Sequence, residues 1–265
     1  MLVIEKLHFD YNGQNILEGV NIEAPKGYLT GIVGPNGSGK TTLFRLISGV
    51  LKPASGKIIA CGTNMSTVNT KEKARIVSIV PQNPTLPPNY TVRDLVLMSR
   101  NPHLKLLEQE SHLDFEIAEH SMELTEINHL SKRRVGTLSG GERQRAMLAM
   151  ALTQQTPILL MDEPTANLDL IHQTHIMNLV RKIQKEDGRT ILMAIHDLTL
   201  ASQYCDRLIM ISNRKDFVTG SPKEVLTSDN ILNVYGAKVL VLPHPNNNGL
   251  IVTPISNDES DSRNL

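Results

Sequence analysis

The stretch "GPNGSGKT", residues 34–41, constrains this chain more than any other, because it fits G-x-x-x-x-G-K-[ST] and its flanks fit the same geometry. "YLTGIV" (28–33) reads as a strand, and "TTLFRLIS" (41–48) as a helix directly after the loop. Gly34, Gly37 and Gly39 let backbone N–H groups turn toward a phosphate, and Lys40 offers a point charge to β- and γ-phosphates. Thr41 offers a hydroxyl to Mg²⁺ at the positive end of the helix, and Pro35, Asn36, Ser38 and Thr42 complete the candidate nucleotide cradle. Alone, such a loop is also a flexible corner with an exposed lysine; the strand–loop–helix context is what favours the cradle.

Composition removes some alternatives. The chain has 265 residues, a length for one or two domains, and 40% apolar residues, enough for a sizeable core. Its 27 Lys and Arg balance 27 Asp and Glu, so no global basic field gathers nucleic acid or an anionic membrane surface. Cys61 and Cys205 are far apart and form no C-x-x-C, which predicts neither a disulfide framework nor a zinc cluster and suits a reducing cytosol. "MLVIEKLHFD" is not a secretory signal, and the longest apolar run, Ala146 to Leu152, is far short of a bilayer, so a chain neither secreted nor membrane-spanning is expected.

The periodicities predict an α/β fold. "VNIEA" (20–24) alternates as a half-exposed antiparallel strand does, whereas "ILLMD" (158–162) and "ILMAIH" (191–196) are continuous apolar runs of strands buried on both faces. Ile176, Leu179, Val180 and Ile183 recur at helical spacing between those two runs, and "EDG" ends the helix, making a βαβ unit. A mixed sheet with a parallel centre follows, with an antiparallel β subdomain. Residues of about 88–150 read as an inserted α-helical subdomain, with Thr91 and Asp94 at capping-box spacing and "FEIAEHSMEL" helical. Further on, "SPKEVLTSDNILNVYG" reads as a short helical pair, and "KVLVL" with "GLIV" as paired strands around "PHPNNN". One nucleotide-binding domain is thus expected over 1–255, with a disordered tail over 256–265.

Two further stretches complement the cradle. Asp162 ends a buried strand, where it can hold Mg²⁺ through water, and the adjacent Glu163 can polarise an attacking water as a general base. Two acids before Pro164 are otherwise a plain strand end. In "LSGGERQRAMLAMAL", Ser139 and Glu142 have capping-box spacing, and Gly140 and Gly141 leave the first helical N–H groups bare, a second anion site. A capping box alone marks only a helix start. Two phosphate-grade helix ends with one set of acidic groups are balanced, however, when two chains face each other.

"GPNGSGKT", "LSGGE" and "ILLMDE", in that order, resemble the Walker A, signature and Walker B motifs of the ATP-binding cassette (ABC) family. The resemblance implies ATP and Mg²⁺ as ligands and ATP hydrolysis as the activity. By it, Gln82 after "RIVSIVP" resembles the Q-loop glutamine that reaches Mg²⁺ and the attacking water and senses a membrane partner. His196 resembles the switch histidine at the γ-phosphate, Tyr11 the aromatic under adenine, and Asp169 in "ANLD" the D-loop aspartate at the dimer seam. Asn167 stands where many relatives carry alanine, and "ISNRKDFVTG" (211–220) replaces their glycine-centred turn. The stretches "TVRDLVLMSRNPH", "HDLTLASQYCDRLIMI" and "VYGAKVLVLPHP" look most like ATPase subunits of importers for iron chelates, haem and cobalamin. That implies a homodimer in ATP, two integral-membrane permease subunits, indirectly a substrate-binding protein, and a peripheral place on the cytoplasmic face of the membrane.

The rival readings are a soluble ABC ATPase acting in iron–sulfur assembly or on nucleic acid or ribosomes, and a nucleotide switch without turnover. Neither a second cassette nor a coiled-coil insertion is present to favour the first, and Glu163 with His196 argues against the second. Arg133, Arg134, Arg143 and Arg145 make the signature region basic, but no aromatics interleave with them for base stacking. "HQTH" (172–175) places two imidazoles one helical turn apart without a third ligand, so a solvated helix face is expected there.

Overall fold

The computed structural model describes residues 1–82, 84–166, 168–212 and 216–255. Asn167, the centre of the "ISNRKDFVTG" stretch and the 256–265 tail therefore lie outside the described residues.

The chain begins with the antiparallel hairpin β1 (Leu2–Tyr11) and β2 (Gln14–Ala24), whose "VNIEA" end alternates exposed and buried residues as its sequence predicts. It then enters β3 (Leu29–Val33) and α1 (Lys40–Ile47), returns through β4 (Ser55–Ala60) and β5 (Thr63–Asn64), and continues as α2 (Thr70–Ile76) into β6 (Val77–Val80). The "RIVSIVP" stretch is thus a strand only from Val77, because Arg75 and Ile76 close the preceding helix. Three helices follow: α3 (Val92–Leu97), α4 (His112–Leu124) and α5 (Gly140–Thr153). Next come β7 (Ile158–Asp162), α6 (Leu170–Asp187), β8 (Thr190–Ala194), α7 (Leu198–Tyr204), β9 (Arg207–Ser212) and β10 (Asp216–Gly220). The chain closes with α8 (Pro222–Val225), α9 (Ser228–Tyr235) and the hairpin β11 (Val239–Pro243) with β12 (Leu250–Pro254), the helical pair and strand pair read from the sequence.

The central sheet has six strands in the order β10-β9-β3-β8-β7-β6, parallel except for the β10 edge. Every residue of β3, β7 and β8 is buried, which is why these strands read as unbroken apolar runs. Their side chains alternate between two cores. Leu159, Met161, Ile191 and Met193 pack with Ile176, Met177, Val180 and Ile183 of α6 on one face. Ile158, Leu160, Leu192 and Ala194 pack on the other with Phe44 of α1 and the strands of a four-stranded antiparallel sheet, β2-β1-β4-β5. Helix α6 ends at Gly188, which takes the left-handed conformation (φ 61°) that caps a helix.

A third core joins Val92, Val96, Ala118, Met122, Ala146 and Ala149 of α3, α4 and α5. Thr91 caps α3 by accepting from the Asp94 N–H, but the Asp94 carboxylate accepts a hydrogen bond from the Thr91 hydroxyl (2.6 Å) rather than from the Thr91 N–H, so the box is only half formed. Beneath this core Arg100 donates through Nε to Asp114 at 2.7 Å and through a terminal nitrogen to the Thr153 carbonyl at 3.0 Å, tying α4 to the end of α5.

Candidate functional site

Parallel strands leave the sheet at the same edge, so whatever follows β3, β6, β7 and β8 is gathered there. The loop after β3 is the 34–39 cradle, Gln82 follows β6, Asp162 and Glu163 end β7, and His196 follows β8. The order of these strands in the sheet lays the candidates side by side along one edge.

The cradle needs glycine for two separate reasons. Gly39 has φ 97° and a Cβ there would meet Leu17 Cδ2 at 2.9 Å, while a Cβ on Gly34 would meet the Ile211 carbonyl oxygen at 2.7 Å. The loop wraps so tightly that Lys40 is 5% exposed, with Nζ donating to the carbonyls of Gly34 (2.8 Å) and Pro35 (3.0 Å). Burial pushes its ammonium below the usual lysine range, and the charges of Glu163 and Asp162 oppose that shift. Ser38 Oγ is buried without a hydrogen-bond partner among the described residues. Ile16, Gly37, Ser38, Lys40, Thr41 and Glu163 line the cleft above the loop, about 250 Å³ in volume. Ile16, which sequence reasoning did not single out, enters because β2 crosses the loop; nothing local in "QNILEG" signals it.

Asp162 is 3% exposed. Burial raises its pKa, the Thr41 hydroxyl that it accepts pulls the other way, and Glu163 raises it further. Its Oδ1 has no hydrogen-bond partner among the described residues. A buried, unsatisfied carboxylate oxygen beside a threonine hydroxyl fits a hard divalent cation. Among the described residues no cluster of three or more His, Cys, Asp or Glu is placed to hold a metal by itself.

Glu163 adopts φ 53°, a left-handed conformation rare for a residue with a side chain. Its N–H still donates to the Ala194 carbonyl of β8 at 3.2 Å, so the strand pairing holds it in that bend. The bend aims the carboxylate along the sheet edge, where Oε2 accepts from the Gln82 amide and Oε1 meets His196 Nε2. Three candidates from separate parts of the chain thus form one hydrogen-bonded group beside the cradle.

The remaining candidates stand apart from it. Ser139 caps α5 with the full reciprocal box: its N–H donates to Glu142 Oε2 (2.7 Å), and the Glu142 N–H donates to its Oγ (3.3 Å). That backbone donor holds the Glu142 carboxyl below its usual pKa. Ser139 and Gly140 are exposed, and none of Ser139, Gly140 and Gly141 lines the cradle's cleft. Asp169 is exposed and caps α6 by accepting the His172 N–H at 2.9 Å. Tyr11 ends β1, exposed, with its ring edge-on to Phe9 at 4.8 Å between centroids.

Residues 17–166 match the family model described as ABC transporter. The chain is 36% identical over 260 residues to the ferric enterobactin transport ATP-binding protein FepC of Escherichia coli (strain K12), covering 98% of this chain and 96% of that one. Its fold superposes with a TM-score of 0.84, at 26% identity, on an inward-facing conformation of a putative metal-chelate type ABC transporter, covering 97% of this chain and 98% of the other. It also superposes, with a TM-score of 0.73 at 25% identity over 84% of this chain and 99% of the other, on a dimeric ATP-binding cassette in a post-hydrolysis state bound to ADP and Pi. By sequence and by fold, then, the chain belongs to the ABC transporter family as one of its ATP-binding proteins.

Proposed function

We propose that this chain hydrolyses ATP as the motor subunit of an importer, closing in ATP as a head-to-tail homodimer and driving two integral-membrane permease subunits. The observation that carries the reading is the Glu163 carboxylate, held between Gln82 and His196 at the strand end beside Lys40. A bound nucleotide would place its phosphates on the N–H groups of residues 36–42 and on Lys40, whose present carbonyl partners they replace. Thr41, Asp162 and Gln82 would hold Mg²⁺, which when bound neutralises charge on the phosphate oxygens.

Glu163 orients the attacking water and takes its proton, and His196 contacts the γ-phosphate. Water displaces ADP from the γ-phosphorus, giving ADP and phosphate. Tyr11 supports the adenine ring, and its exposed face suits stacking. Ser139, Gly140 and Gly141 close the partner's site, with Asp169 at the seam. They do not line the cleft of their own chain, which leaves them free to close a partner's.

The cassette spans 1–255, and its helical part, about 88–150, docks the permease at the cytoplasmic face of the membrane. Among the described residues no helix is long and apolar enough to cross it. Relatives named for ferric enterobactin transport and cobalamin import favour an iron-chelate or cobalamin-like cargo; haem as a cargo and delivery by a substrate-binding protein rest on the sequence resemblance alone. Reconstitution with the co-purifying membrane protein tests the reading: ATP-dependent uptake into vesicles is expected. Co-purification with ribosomes or a soluble complex instead would overturn it.

A further inference from the structure

The first two turns of α6 carry the "HQTH" motif (172–175), for which the sequence predicts only a solvated face. The structure gives its first two residues specific partners. His172 Nδ1 lies 2.7 Å from Asp169 Oδ1, the same oxygen that accepts the His172 N–H. The imidazole is thereby fixed at both its backbone and its ring. Its far edge covers Gly141: a Cβ on that glycine would lie 2.9 Å from His172 Cδ2 and 3.5 Å from Nε2. Gln173 turns to the other side, where Nε2 donates to the carbonyls of Leu168 (3.0 Å) and Thr165 (3.4 Å). Behind them, Ile176, Met177 and Val180 bury α6 in the core that also takes Met147 and Leu148 of α5. Thr165, Leu168 and Asp169, which follow Glu163, are therefore held from α6 by two adjacent side chains, and one of these also touches the start of α5.

We propose that His172 is a positioning residue that latches the Asp169 loop to the Gly140–Gly141 helix start, so that the two dimer-facing elements of one chain move together. The proposal rests on the shared-site reading above and deepens it. Asp169 follows the water-positioning Glu163 by six positions, so the latch couples its loop, through the His172 ring, to the glycines that close the partner's site. Gly141 has to lack a side chain for that contact, since a methyl group would displace the ring. His175, one turn further on, lines the same small cavity but makes no bond to Asp169. It is the natural control.

Three substitutions separate bond from bulk. His172→Ala removes both, His172→Asn keeps a donor near the place of Nδ1, and His172→Phe keeps a ring without a donor. Hydrogen exchange of the nucleotide-free subunit over residues 164–171 reads the latch without turnover. We expect about fivefold faster exchange in the Ala and Phe variants, recovery of most protection in the Asn variant, and no change in His175→Ala. With the permease, His172→Ala should lower kcat about fivefold with KM for ATP within about twofold, because the nucleotide's own contacts are untouched. Unchanged exchange in His172→Ala, or equal effects of all three substitutions, overturns the latch whatever the activity. Faster exchange together with a wild type that never hydrolyses ATP leaves the latch standing and sinks the ATPase reading instead.

Discussion

Lys40 Nζ donates to the Gly34 carbonyl oxygen at 2.8 Å, so the cation of the cradle closes its own loop. An arriving phosphate must displace that bond, and it offers a full charge in exchange for a carbonyl dipole. Lys40→Ala should therefore weaken nucleotide binding by about tenfold or more while leaving the loop's glycine geometry in place. Isothermal titration with ATP checks this; affinity within twofold of wild type would remove Lys40 from the phosphate site.

Ser139 does not line the cleft of its own chain, and this gives the shared site a genetic test. Lys40→Ala and Ser139→Arg homodimers should each be inactive, the first lacking the cation and the second blocking the bare N–H groups. Mixed dimers pair one good cradle with one good lid, so about a quarter of all sites should be restored under random pairing. A mixture no more active than its parts, with heterodimers verified, would mean the site is built within one chain.

Glu163→Gln keeps the side chain's shape and removes its basicity. ATP binding should stay within a few-fold of wild type, turnover should fall roughly 10²-fold or more, and the dimer should persist in ATP. An ATPase rate close to wild type would take Glu163 out of the mechanism.

Gln82 touches Glu163 and precedes the entry to the helical segment. Gln82→Ala should lower transport in vesicles more than it lowers the isolated subunit's affinity for ATP. Parallel losses of both would make Gln82 an ordinary ligand residue.

Arg100 and Asp114 are each 7% exposed at the side chain, and this pairing, together with hydrogen bonds from Ser111, holds the Asp114 carboxyl at about 2 against burial's upward push. A carboxylate with a depressed folded pKa stabilises the fold above its unfolded value, here 3.8, and that contribution disappears as the pH falls toward about 2. Asp114→Asn leaves the guanidinium buried without its counter-charge and should cost about 3 kcal/mol. Urea unfolding at neutral pH, with an unchanged slope and a lower midpoint, checks the magnitude; the gap between wild type and variant should narrow on acidification through that window.

What the sequence determined by itself was everything built from neighbours along the chain. The cradle lies within 28–48, the βαβ unit reads from apolar runs and helical spacing, and Ser139 with Glu142 forms its box three residues apart. These depend on periodicity and local hydrogen bonds, which a short stretch encodes completely. The half-formed box at Thr91 marks the limit of that reading, since spacing fixes which groups can meet but not which atom accepts. Only the tertiary structure decided that Gln82 and His196, 81 and 33 positions from Glu163, converge on its carboxylate. It also turned Glu163 left-handed, laid Ile16 over the cradle and placed the His172 ring against Gly141. Each of these follows from strand order and from two layers packing on one sheet, relations among distant segments that hydrophobic runs call for without naming the partner.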